Sequence, residues 1–195
     1  MLALVVLRNW IARPMTLDHV HPGWFILMVG IVVGVPTGVG FGHSEAGWAS
    51  LALGCLSAAV FYPIILYRLF FHDPLPPTQR PLLVVLIAPP PLIFLAYLTL
   101  AGGTLDAFAL VLFYAGLFIT AVILSLPHLF LGLPFAVSWW AYTFPLDAIT
   151  VASLNYHERA SHAVSAAIAL ALLALTSVIV AFVAFRSLAA LDRKS

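Results

Sequence analysis

Six long apolar runs divide the chain, at approximately residues 23–41, 48–71, 81–101, 106–127, 135–155 and 163–186. Each is close to the ~20 residues that carry a helix across ~30 Å of hydrocarbon. Polar or turn-forming punctuation separates them. It comprises Gly40 to Glu45, His72-Asp73-Pro74-Leu75-Pro76-Pro77, Ala101-Gly102-Gly103-Thr104, Pro127 to Pro134, and Asn155 to His162. Residues 2–7 are apolar but too few to span. The pattern predicts an all-α integral membrane fold, with residues 1–195 forming one transmembrane domain.

The spans alternate in character. The first, third and fifth carry helix-breaking residues: Pro22, Gly30, Gly34, Pro36 and Gly38; Pro81 and Pro89-Pro90-Pro91; Pro134 and Pro145. The second, fourth and sixth are smoother, with only Pro63 near the end of one and Pro127 at the end of another. Pro22, Pro81 and Pro134 open successive units of similar length, a weak repeat of one helical hairpin per copy. Broken helices in a membrane persist where freed backbone groups meet protein or a water-lined cavity. The expectation is therefore an inner set of proline-kinked helices, with Pro36, Pro90 and Pro145 as the kinks, and an outer set of regular ones.

Composition narrows the class. The chain is 64% hydrophobic and only 8% charged, against roughly 25% charged in a soluble domain. A net charge of +1 argues against a nucleic-acid partner and leaves membrane lipid as the surrounding medium. The single cysteine, Cys55, reads as a small packing residue. Arg8, Arg13, Arg68, Arg80, Arg186, Arg193 and Lys194 fall on one side of a six-span topology, with Arg159 alone on the other. Positive charge marks the cytoplasmic side, so both termini are expected in the cytoplasm and the protein in the cell membrane, plasma or inner.

The fifth run holds the candidate chemistry. Pro145 and Asp147 lie near its middle, where a carboxylate costs at least ~2.5–3.5 kcal/mol unless it faces protein or water. Asp147 is thus a candidate proton or substrate site: ionised it would repel anions, protonated it could bind a carboxylate or carry a proton. The alternative is an acid paired to a neighbouring helix. Asp18, His19 and His21 supply too few ligands for a metal site, so no metal and no cofactor are expected. The inner spans hold no histidine or cysteine beside Asp147, which argues against an intramembrane enzyme, and no phosphate-cradling glycine loop with a lysine suggests ATP-driven pumping.

Four separated stretches carry a resemblance: Leu17 to Ile26, Tyr67 to Pro76, Leu86-Ile87-Ala88-Pro89-Pro90, and Pro134 to Leu146. They resemble the tellurite-resistance and C4-dicarboxylate transporter family, which also contains the plant slow-type anion channels. The resemblance covers residues from about 15 to 186. It implies a ring of five hairpins around a pore, assembled as a homotrimer, with Phe144 as the pore gate. It also implies ten helices, so this chain is expected to be N-terminally truncated and to supply the last six. The alternative for Phe144 is packing against neighbours like most other phenylalanines, and its place directly before Pro145 favours the gate. The expected function is a channel or carrier for small anions of the C4-dicarboxylate, chloride or sulfite type. Hydroxyls on Thr37, Ser138, Thr143 and Thr150 would replace part of the hydration shell. A proton-coupled dicarboxylate carrier using Asp147 is the alternative within transport; an incomplete, non-transporting membrane fragment is the alternative of another class.

Overall fold

Each proline-rich run folds as two segments. The computed structural model describes residues 2–192, so Arg193 and Lys194 of the charge pattern lie outside the described residues. The first run gives α2 (Trp24–Val33) and α3 (Val35–Gly40), joined at Gly34. The second gives a 3-10 helix, Arg80–Ile87, followed by α5 (Pro89–Leu100). The third gives a 3-10 helix, Val137–Tyr142, followed by α7 (Thr143–Ala160). The smooth runs are single helices: α4 (Ser44–Phe71), α6 (Ala107–Leu124) and α8 (Ala163–Asp192). An eleven-residue α1 (Leu2–Ala12) precedes them, longer than the residue 2–7 stub. No strand occurs among the described residues.

The junctions have a simple cause. Pro36 is the second residue of α3, Pro89 to Pro91 are the first three of α5, and Pro145 is the third of α7. N–H groups in the first helical turn have no intrahelical acceptor, so proline costs nothing there. Instead of bending a continuous helix, Pro36, Pro90 and Pro145 belong to the start of a new segment, and the chain ahead of Pro89 and Pro145 tightens into a 3-10 turn.

Three hairpins result, α2–α3 with α4, α5 with α6, and α7 with α8. The proline-rich segments face one another: α5 packs on α2, α3 and α7, and Val137–Tyr142 packs on Arg80–Ile87. Arg80–Leu100 therefore lies centrally, 78% buried, whereas α4, α6 and α8 are only 22–28% buried over their apolar windows. Among the described residues, those four are the helices long and apolar enough to span a membrane; the α2–α3 pair is shorter. In α7, Asp147, Asn155, His157, Glu158 and Arg159 dilute the apolar run. Close approach is built in by glycine: a Cβ on Gly54 of α4 would lie 2.2 Å from Val32 Cγ2 of α2. Cys55 packs beside it. The α1 helix docks by stacking Trp10 on Trp24, ring centroids 4.1 Å apart.

Candidate functional site

Helix α7 is buried on most of its circumference, with Leu146, Ala148, Ile149, Thr150, Ala152 and Ser153 all covered. Phe144, Asp147, Val151 and Arg159 break this rule and are exposed, and Asn155 is half-buried. Their spacing of three, four, four and four residues places them within an arc of about 120° at 3.6 residues per turn. One stripe of α7 is therefore open.

Two clefts lie along that stripe. The first, about 360 Å³, is lined by Phe25 and Ile26 of α2, Leu82 and Val85 of the second inner run, and Phe144 and Pro145 of α7. The second, about 490 Å³, is lined by Pro36, Leu95, Thr99, Val151, Asn155 and Arg159, with Gly102 and Gly103. Each cleft thus takes residues from all three proline-rich runs. Phe144 belongs to the first and Val151 to the second, and Asp147 lies between them in sequence on the same stripe. Asp147 forms no ion pair with any described residue. The expected alternative of an acid paired to a neighbouring helix does not match this exposed placement.

The hydroxyl candidates divide. Thr150 is a correction: it is buried and points away from the open stripe, donating to the Leu146 carbonyl at 2.7 Å and meeting Thr176 of α8 at 2.9 Å. Thr37 is exposed. Ser138 lines the first cleft but donates to the Thr78 carbonyl at 2.9 Å, and Thr143 donates to the Trp140 carbonyl at 2.9 Å. The remaining surface of the first cleft is apolar.

Among the other arginines, Arg68 is buried and its guanidinium donates to the carbonyl of Asp73, while Arg80 donates to the Leu75 carbonyl at 3.3 Å. Arg186 lies over Phe135 and Trp139 at 5.9 and 5.8 Å. The histidine loop is engaged locally. His19 Nδ1 meets the Thr16 hydroxyl at 2.8 Å, and His21 Nδ1 accepts the Gly23 N–H at 3.1 Å. Burial lowers the pKa of the His21 imidazole, in keeping with a neutral acceptor.

Arg159 and Asn155 were not among the site residues expected from sequence. Their signal is the helical spacing from Phe144, visible once one face of α7 is known to be open. Arg159 Nε donates to the Gly103 carbonyl at 3.0 Å, and Nη1 donates to the Asn155 carbonyl at 2.7 Å and to Asn155 Oδ1 at 3.2 Å.

The profile of the voltage-dependent anion channel (SLAC1) family matches residues 1–188. Among curated proteins, the chain is similar to the S-type anion channel SLAH1 of Arabidopsis thaliana, 34% identical over 125 residues, covering 60% of this chain and 32% of that protein. It is also similar to the guard cell S-type anion channel SLAC1 of Arabidopsis thaliana, 29% identical over 152 residues, covering 78% of this chain and 27% of the relative. An uncharacterized transporter of Methanocaldococcus jannaschii is 28% identical over 158 residues, covering 70% of this chain and 46% of the relative. The chain thus spans less than half the length of these relatives. With a match over nearly its whole length, the chain belongs to the voltage-dependent anion channel (SLAC1) family.

Proposed function

We propose that this protein forms part of a path for small anions across the cell membrane, with Phe144 as a steric gate. The observation that carries the reading is the open stripe of α7, from Phe144 to Arg159, facing clefts lined by all three proline-rich runs. The S-type anion channels to which the chain is similar give the substrate class. Chloride, sulfite or a C4-dicarboxylate would cross an apolar constriction, so ease of dehydration sets the order among them. Six membrane passes, cytoplasmic termini and a homotrimer belong to this reading, as does a longer ring completed by segments beyond these three hairpins.

Phe144 is 43% exposed, so its ring has room to move. Anion flux into liposomes, with and without Phe144→Ala, tests the gate. A flux raised at least tenfold supports it; unchanged flux removes Phe144 from the path. A wild-type protein that inserts and passes none of these anions overturns the transport reading in favour of a membrane component that acts only through partners.

A second reading rests on Asp147. Its exposed position on the same stripe of α7, with no ion-pair partner among the described residues, favours a role in the path over one in packing. A carboxyl there could couple movement of a dicarboxylate to that of a proton.

A further inference from the structure

Arg159 is held from two hairpins at the mouth of the second cleft. Its Nε donates to the Gly103 carbonyl in the α5–α6 turn, and both Nη1 contacts go to Asn155 one helical turn earlier. Gly102 and Gly103 sit at φ +66° and +84°, a conformation that glycine reaches without strain, and this conformation goes with the aim of the Gly103 carbonyl at the guanidinium. Nη2 donates to no described residue, and the side chain retains 31% of its exposure. Glu158 lies 3.8 Å from Nη1 and is 73% exposed, a contact of the weak surface kind. A cation oriented by three acceptors, lining a cleft and with Nη2 donating to no described residue, is a preorganised donor.

We propose that Arg159 binds a small anion at this mouth, delivering it to the path. The inference rests on the transport reading for its role, while the geometry stands independently. Because Nε and Nη1 are already engaged, Arg159 cannot offer the paired fork that grips a carboxylate in two places. Nη2 presents a single point of contact, suited to a halide or one oxygen of nitrate. Glu158, next to Arg159 on α7, and Asp106, three residues beyond Gly103 in the same turn, carry the opposing charge nearest in sequence to this anion. Asp147 lies twelve residues deeper, about 18 Å along the helix at 1.5 Å per residue, too far to compete at physiological salt, where charges are screened beyond ~8 Å.

The test is chloride titration of the detergent-solubilised full chain at constant ionic strength, with gluconate as the balancing anion. Chloride-35 line broadening reads the binding, and flux into liposomes is measured in parallel. Wild type should bind chloride saturably. Arg159→Gln should lose that binding, Arg159→Lys should keep it weakened several-fold, and Glu158→Gln should tighten it about threefold. The Glu158 variant covers the case in which Arg159→Gln fails to fold, because a purely structural Arg159 predicts no tightening there. No saturable chloride binding by folded wild type, or Arg159→Gln binding as wild type does, overturns the site. Arg159-dependent binding without any flux leaves the site standing and overturns the transport reading; flux with binding indifferent to Arg159 does the reverse.

Discussion

The Tyr62 hydroxyl of α4 donates to the Leu86 carbonyl at 2.5 Å. That carbonyl is an orphan by sequence. An α-helical bond to it would come from residue 90 and a 3-10 bond from residue 89, and both are prolines without an N–H. At membrane depth no water replaces the missing donor, so a neighbouring helix must. Tyr62 on the outer helix of the first hairpin thereby satisfies a break in the inner run of the second. Tyr62→Phe should cost about 1 kcal/mol, between the ~0.6 average for bonds inside membranes and the ~1–3 for an unsatisfied buried acceptor. Unfolding in mild detergent, monitored by tryptophan fluorescence, measures it. An unchanged midpoint would show that Leu86 finds another donor.

Much of this arrangement can be read from residue order. Apolar runs and the alternation of proline-rich with smooth spans indicate the hairpins and which members face inward. The junction type is harder, because a proline marks where an N–H is missing without saying how the preceding turn closes. The faces of α7 are harder still. Thr150 and Ser153 are polar yet buried, while Asp147 and Asn155 are polar and face the open stripe. Polarity alone cannot separate them; the partner on α8, Thr176, accounts for Thr150, while the Ser153 hydroxyl is buried with no hydrogen-bond partner among the described residues.

That partner makes the second prediction. With the Thr150 proton on the Leu146 carbonyl, the Thr176 hydroxyl has one proton to give, either to Thr150 at 2.9 Å or to that carbonyl at 3.3 Å. These bonds join the two members of one hairpin and do not touch the path. Thr150→Val and Thr176→Val should each lower stability by about 0.5–1.5 kcal/mol, with a coupling between them near the ~0.6 kcal/mol average for membrane bonds. Flux per folded protein should stay unchanged. A selective change in anion preference with Thr150→Val would return Thr150 to the pore.

Helix approach at Gly54 gives the third. A methyl there would overlap Val32 Cγ2 at 2.2 Å, and valine has few alternative rotamers to yield into. The overpacking cost is typically ~1–3 kcal/mol. Gly54→Ala should fall in that range, and Gly54→Ala with Val32→Ala should recover part of it. Absence of recovery in this double variant, followed by the same unfolding assay, locates the strain elsewhere.

Asp106 caps α6 from the turn just ahead of the spanning helix Ala107–Leu124, and it predicts a pH dependence. Its carboxylate accepts the Ala109 N–H at 2.9 Å and a bond from the Tyr97 hydroxyl. The backbone bond from Ala109 first, and Tyr97 second, lower its pKa below the usual carboxylate value. The folded state therefore gives up this proton more readily than the unfolded chain. The stabilisation is complete above the ordinary pKa of ~3.9 and fades as pH falls through the lower folded value. Melting temperatures of wild type and Asp106→Ala should differ by a constant amount from pH 7 to 5 and converge below about pH 4. A gap that is the same at pH 3 as at pH 7 means the ionised form contributes nothing.

Asp147 on the open stripe separates two ways of moving an anion. An ionised carboxylate about 5 Å from the path repels a monovalent anion by about 0.8 kcal/mol even in bulk water, and by more where the dielectric is lower. Removing that charge raises the local anion concentration at least about fourfold by the same arithmetic. In a simple channel, Asp147→Asn should therefore increase flux, most at high pH, with no dependence on a proton gradient before or after the change. In a proton-coupled carrier the same substitution should lower uptake and abolish its response to an imposed gradient, because the amide cannot exchange a proton. The two outcomes have opposite signs, so flux at pH 5.5 and 8, with and without a gradient, decides between them. Wild-type-like behaviour under all four conditions places Asp147 outside the path altogether.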